Sequence, residues 1–169
     1  MTRDYSFDGG GIWGEFNFWL NGKKLGDKTG NFGCIAPVAG ALDAIRYNFS
    51  HLWNDRLSRV GLAKAFDILD YSLFGYIGNE YIEHHSEYED FFGESQFLQH
   101  SFLANWGEFF DEEPKYFLLG EDENVVVFWR EYESSHSSEI QSVSIHKEIF
   151  LRVVDEFNEW FDNEELLDK

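Results

Sequence analysis

The chain has 169 residues, with 13 Lys and Arg against 32 Asp and Glu, a formal net charge of −19. Aromatic residues make up 19% of it, which excludes the aromatic-poor acidic chains that stay disordered. The length suits one domain with a real core, and no apolar run approaches the roughly 18 residues that a transmembrane helix needs. Met1 to Asp8 lack the apolar stretch of a signal peptide. The one cysteine, Cys34, has no internal disulfide partner and reads as a small buried hydrophobe, so a reducing cytoplasm is the expected compartment.

Taken in order, Gly9-Gly10-Gly11 ends a flexible start. Ile12 to Leu20 then alternates, with Phe16, Phe18 and Leu20 on one side and Glu15, Asn17 and Trp19 on the other. Period two with aromatic residues predicts a strand. Asn21-Gly22 predicts a two-residue hairpin turn, because both residues tolerate positive φ. Lys23 to Leu25 begins the return strand, and Phe32 to Ala36 is a further short one. Pro37 suits the first turn of a helix, whose apolar stripe is Val38, Leu42, Ile45, Phe49 and Leu52. Asn54-Asp55 breaks it, and Leu62, Phe66, Leu69 and Leu73 mark a second helix ending near Gly75. Glu80 to Gly93 sets Tyr81, Tyr88, Phe91 and Phe92 among acids and reads as loop or short helix. Ser95 is placed to cap a helix running to about Phe110, with Leu98, Phe102, Trp106 and Phe109 on one side.

After Pro114 the pattern turns to sheet. Tyr116 to Leu119, the turn Gly120 to Asn124, and Val125 to Tyr132 form a hairpin, whose β-branched and aromatic run suits a central strand. Ile140 to Ile145 is another strand. Ile149, Val153, Phe157, Trp160 and Phe161 mark a C-terminal helix from about His146 to Asn163, beyond which the end frays. Strands, helices, strands and a helix predict a single α+β domain, an antiparallel or mixed sheet with several helices packed on it.

The charge is distributed unevenly. Met1 to Tyr76 holds eight acids and eight bases, whereas Ile77 to Lys169 holds 24 acids and five bases and so carries the whole −19. Ala65 to Pro114 contains no Lys or Arg at all. Such a field repels phosphate backbones and anionic membranes; it attracts and steers a basic protein. The expected partner contacts are Glu80, Glu83, Glu87, Glu89, Asp90, Glu94, Asp111, Glu112, Glu113, Glu121, Asp122 and Glu123, with Tyr81 and Tyr88 as aromatic anchors. Trp19, Tyr71 and Tyr132 also lie off the apolar stripes.

Chemistry of other kinds is hard to find. There is no phosphate-binding loop, and Gly9-Gly10-Gly11 precedes a strand instead of joining a strand to a helix. No Gly-x-Ser-x-Gly elbow occurs. Glu83-His84-His85-Ser86-Glu87, with His100 further on, lacks the His-Glu-x-x-His order of a zinc site, and adjacent histidines diverge. The expectation is a binding protein, not an enzyme, with no cofactor and no metal.

Three stretches carry a resemblance: the aromatic strand and turn Phe16 to Lys23, the acidic middle, and the strand-to-helix ending Val143 to Leu151. Together they resemble immunity proteins of contact-dependent growth inhibition and related polymorphic toxin systems. The resemblance implies a small cytoplasmic protein that binds one cognate toxin domain tightly and blocks it. Such toxins are often nucleases with basic surfaces, which an acidic inhibitor can occupy. The competing expectations are a DNA-mimic inhibitor of DNA-binding proteins, and a small hydrolase or sugar-binding protein using His84, His85 or buried carboxylates.

Overall fold

The computed structural model describes residues 5–8, 11–25, 33–77, 80–89, 95–103, 106, 110, 114–130 and 139–167. In chain order its strands and helices are β1 (Tyr5–Asp8), β2 (Gly11–Gly14), β3 (Phe18–Leu20), β4 (Lys23–Leu25), β5 (Gly33–Cys34), α1 (Ala36–Tyr47), α2 (Asp55–Ser58) and α3 (Leu62–Phe74). There follow β6 (Tyr76–Ile77), β7 (Glu80–Tyr81), β8 (Ser101–Phe102), β9 (Tyr116–Glu121), β10 (Asn124–Arg130), β11 (Ile140–His146) and α4 (Lys147–Leu167). Short 3₁₀ turns cover Phe49–Leu52 and Ser95–His100. Among the described residues every strand pairing is antiparallel, so the fold is α+β with helices accompanying antiparallel sheets.

The chain divides into two compact units, each built from separated stretches. This explains why no linker or boundary is visible in the sequence. The first unit comprises Met1–Tyr47, Leu103–Glu113 and Lys147–Lys169. Its three-stranded sheet has the order β1-β2-β5, and β3 and β4 form a separate hairpin. The expected single strand from Ile12 to Leu20 is thus two strands, with residues 15–17 between them. The hairpin turn falls where expected, on Asn21 (φ 49°) and Gly22 (φ 79°), the left-handed pair that matches the twist of the flanking strands. Phe16 packs edge-on against Phe18, Phe110 and Phe157, with ring centroids 4.9, 6.4 and 5.2 Å apart. Cys34 is half-buried and not fully enclosed.

Helix α1 buries Val38, Ala39, Leu42 and Ile45, and Arg46 joins it to Asp155 of α4 across 2.6 Å. On α4 the buried residues are Phe150, Val154 and Phe157, while Ile149 and Val153 are about half exposed. In the first two turns the core-facing stripe therefore lies one residue along from the one expected, while Phe157 is buried as expected. The helix also continues to Leu167, past the expected end at Asn163.

The second unit comprises Asn48–Phe102 and Pro114–His146. The helix expected to reach Asn54 ends at Tyr47, and a 3₁₀ turn carries Phe49 and Leu52 instead; Asn54 starts the next helix. Its side-chain oxygen accepts from the backbone N–H of Arg56 (3.0 Å) and Leu57 (3.3 Å), the usual cap of a helix N-terminus. Helix α3 lies on a four-stranded sheet of order β11-β10-β9-β8. Phe66 meets Phe117 edge-on at 5.0 Å, and Leu57, Leu69, Tyr71, Phe97, Leu119, Val126 and Phe128 complete this core. Each large side chain enclosed there contributes about 1.5–3 kcal/mol of burial. The β9–β10 hairpin is buried on both faces, as its unbroken apolar run predicts.

The helix expected from Ser95 to Phe110 does not form among the described residues. A 3₁₀ turn ends at His100, and Ser101–Phe102 adds β8 to the sheet edge beside Tyr116 and Phe117. Leu98 is exposed, whereas Phe97, Gln99 and His100 are buried. The cause is non-local: His100 donates from Nδ1 to the Leu118 carbonyl at 2.6 Å, and Leu103 turns left-handed at φ 67°. Phe109 lies outside the described residues.

Candidate partner-binding surface

The acidic surface of the second unit is organised by α3. This helix ends at Gly75, whose φ of 74° places it in the left-handed cap that glycine adopts without strain. The chain then turns through the β6–β7 hairpin and runs back along the helix. Ile82 donates its N–H to the Gly75 carbonyl at 2.9 Å. Further on, the His85 N–H donates to the Tyr71 hydroxyl at 3.1 Å, and Glu87 pairs with Lys64. The three attachments fall at 75, 71 and 64, so the segment Glu80 to Glu89 travels antiparallel to α3 towards its N-terminus.

The basic side chains around α3 point inward to its own acids. Arg130 binds Asp67 at 2.9 Å and lies over the Phe66 ring at 4.7 Å. Lys115 binds Asp70, and its ammonium lies over the rings of Phe74 and Tyr76 at 5.1 and 4.6 Å. Asp70 is fully buried, and removal from water pushes its carboxyl up to about 6 against the opposing pull of Lys115. The Lys64 bond lowers the Glu87 carboxyl and is the main influence raising the lysine. Arg59 pairs with Asp55 at 3.5 Å.

Several of the expected contacts are exposed. Glu80, Glu83, Glu121 and Asp122 are exposed, and no ion pair engages them among the described residues. Glu89 is exposed and faces His84 at 3.7 Å. Glu123 is exposed beside Asp122 in the β9–β10 turn, where Asp122 takes φ 49°. Trp53 holds this turn: its indole N–H donates to the Asp122 carbonyl at 2.8 Å. The same ring covers Gly120, where an added Cβ would lie 2.3 Å from it. Asp90, Glu94, Asp111, Glu112 and Glu113 lie outside the described residues.

The two expected anchors separate. Tyr81 is 68% exposed, but Tyr88 is only 7% exposed and belongs to the core. Tyr88 stacks on His85, with ring centroids 4.2 Å apart, and lies 6.0 Å from Tyr71. Its place is beneath the acidic segment, as a support and not as an outward anchor. Tyr71 is likewise core, Trp19 is exposed, and Tyr132 lies outside the described residues. The histidines do not converge: His84 is exposed, His85 stacks on Tyr88, and His100 is bound to the Leu118 carbonyl. Among the described residues no group of three or more His, Cys, Asp or Glu is arranged to hold a metal ion.

The sequence reading missed Asp67 and Asp70 as the internal partners of this surface. A signal existed: Lys115 and Arg130 are the only Lys or Arg between Lys64 and Lys147, so α3 had few cations available to it.

Comparison with protein families gives a match over residues 2–160 to the family described as immunity protein 42. The chain belongs to the immunity protein 42 family. Membership places it among the immunity proteins of polymorphic toxin systems, with a toxin-neutralising role and a cognate toxin as partner. No curated protein and no solved structure matches it. No described helix is long and apolar enough to cross a membrane.

Proposed function

We propose that this immunity protein neutralises a basic toxin domain, a nuclease, by setting carboxylates where that enzyme's phosphate ligands bind. One observation carries the reading. In the second unit Lys64, Lys115, Arg130 and Arg59 pair with the chain's own acids, while Glu80, Glu83, Glu121 and Asp122 face outward. Outward carboxylates held on turns repel nucleic acid and attract the basic surfaces that bind it. No catalytic step is required of the inhibitor. We place it in the cytoplasm, where a contact-delivered nuclease meets its substrate.

The test is association with the toxin domain encoded beside the gene. The on-rate should fall about tenfold or more as salt rises from about 20 to about 200 mM, because screening shortens the reach of the field. A salt-independent on-rate contradicts electrostatic docking. Reversing Glu80 and Glu83 to Lys should weaken binding more than reversing Glu156 and Glu159. The opposite ranking moves the interface to α4.

A further inference from the structure

Tyr81 combines two properties that seldom coincide: it is 68% exposed, yet its ring is held in place. The ring lies over Gly75, where an added Cβ would approach its Cε2 to 2.9 Å. Across the β6–β7 pair it meets Tyr76 in a T-shaped contact, with centroids 5.7 Å apart and planes at 74°. Glycine at 75 takes the left-handed cap without strain and leaves the room that the ring occupies. A large aromatic side chain with its rotamer already fixed loses little conformational freedom on binding.

The surroundings indicate what such a ring receives. Glu80 and Glu83 lie one and two residues from it in the chain and are exposed, and Ala65 to Pro114 brings no Lys or Arg. The chain shows the chemistry beside this ring: Lys115 sits 4.6 Å from the centroid of Tyr76, the ring that Tyr81 meets. Among the described residues no cation lies over Tyr81. An exposed aromatic ring with exposed carboxylates close to it in the chain fits a guanidinium, which stacks on the ring through its plane and gives its N–H groups to a carboxylate.

We infer that the β6–β7 hairpin, with Tyr81 at its centre and Glu80 and Glu83 at its rim, is a clamp for one arginine side chain of the toxin. This rests on the neutralising role proposed above and specifies where the basic partner is gripped. Binding there is driven by a preorganised ring as well as by the general field.

The experiment measures affinity for the toxin domain encoded beside the gene, by calorimetry, for wild type and three variants. Tyr81→Ala should lose about 30-fold or more, the size expected of an interface hot spot. Tyr81→Phe should stay within about threefold of wild type, because the ring face is kept. Tyr81→Leu, which keeps apolar bulk without a π face, should fall close to the alanine variant. An arginine-to-glutamine scan of the toxin should find one position at which Tyr81→Ala no longer has an effect. Thermal unfolding checks that each variant stays folded. If Tyr81→Ala or Tyr81→Leu binds as wild type does, the clamp is overturned while the neutralising role stands. Loss by Tyr81→Phe equal to that of alanine overturns it too, since the hydroxyl is then the contact. Failure of the wild type itself to bind sinks the neutralising role, and the clamp with it.

Discussion

Asp70 and His100 are two buried titratable side chains whose responses to pH oppose each other. Burial pushes the Asp70 carboxyl up to about 6, so the fold favours its protonated form. That contribution is complete below the unfolded value of about 4 and is lost as pH rises through 6. His100 is the reverse case. Burial takes it down to about 4, so the fold favours neutral imidazole, and the contribution present above about 6.5 is lost as pH falls through 4. In the wild type the two slopes offset each other between pH 4 and 6.5. Asp70→Asn leaves only the histidine slope. The variant should lose about 2 kcal/mol relative to wild type on acidification from pH 7.5 to 4.5, read from urea unfolding at both values. A pH-independent difference would show that Asp70 binds its proton equally in the folded and unfolded chains.

Elements were legible where the apolar pattern admitted one solution. The first three turns of helix α1, helix α3, the β9–β10 hairpin and β11 fall close to their expected positions because their burial follows from local period, whereas α1 ends at Tyr47, short of the expected Asn54. The α4 helix was legible but its face was not. Both Ile149-Val153-Phe157 and Phe150-Val154-Phe157 satisfy helical spacing, and only packing selects the second. The segment after Ser95 failed for a related reason. Leu98, Phe102 and Trp106 recur every four residues as in a helix, yet the sheet edge takes Phe102 and the Leu118 carbonyl takes His100. Of the candidate surface, the acids and Tyr81 were legible as exposed residues. The inward use of the cations, and with it the burial of Tyr88, was not, because it depends on contacts such as Arg130 with Asp67 that are distant in sequence. The β9–β10 turn offers a test at this scale. Gly120→Ala drives a Cβ into the Trp53 ring and should destabilise the fold by about 1–3 kcal/mol. Adding Trp53→Ala should remove part of that cost, so the double-mutant cycle is non-additive. Strict additivity would mean that the ring simply moves aside.

For the whole molecule, folding redistributes the charge that the sequence gathers after Tyr76. The first unit has eight bases against 17 acids, a net of −9, and the second has five against 15, a net of −10. The asymmetry along the chain thus becomes near equality between units. Both repel themselves, and exposed ion pairs such as Arg59 with Asp55 return little in water. Screening that repulsion should stabilise the protein. The melting temperature should rise by about 3–5 °C between about 20 and about 500 mM sodium chloride; a fall would show that attractive pairs dominate. The two acidic turns are anchored from below, one by Gly75 and the other by Trp53 across Gly120. Their outward carboxylates lie apart from the core. A lineage that meets a new toxin can therefore rewrite Glu80, Glu83 and Glu121 freely, changing what it recognises without renegotiating how it folds.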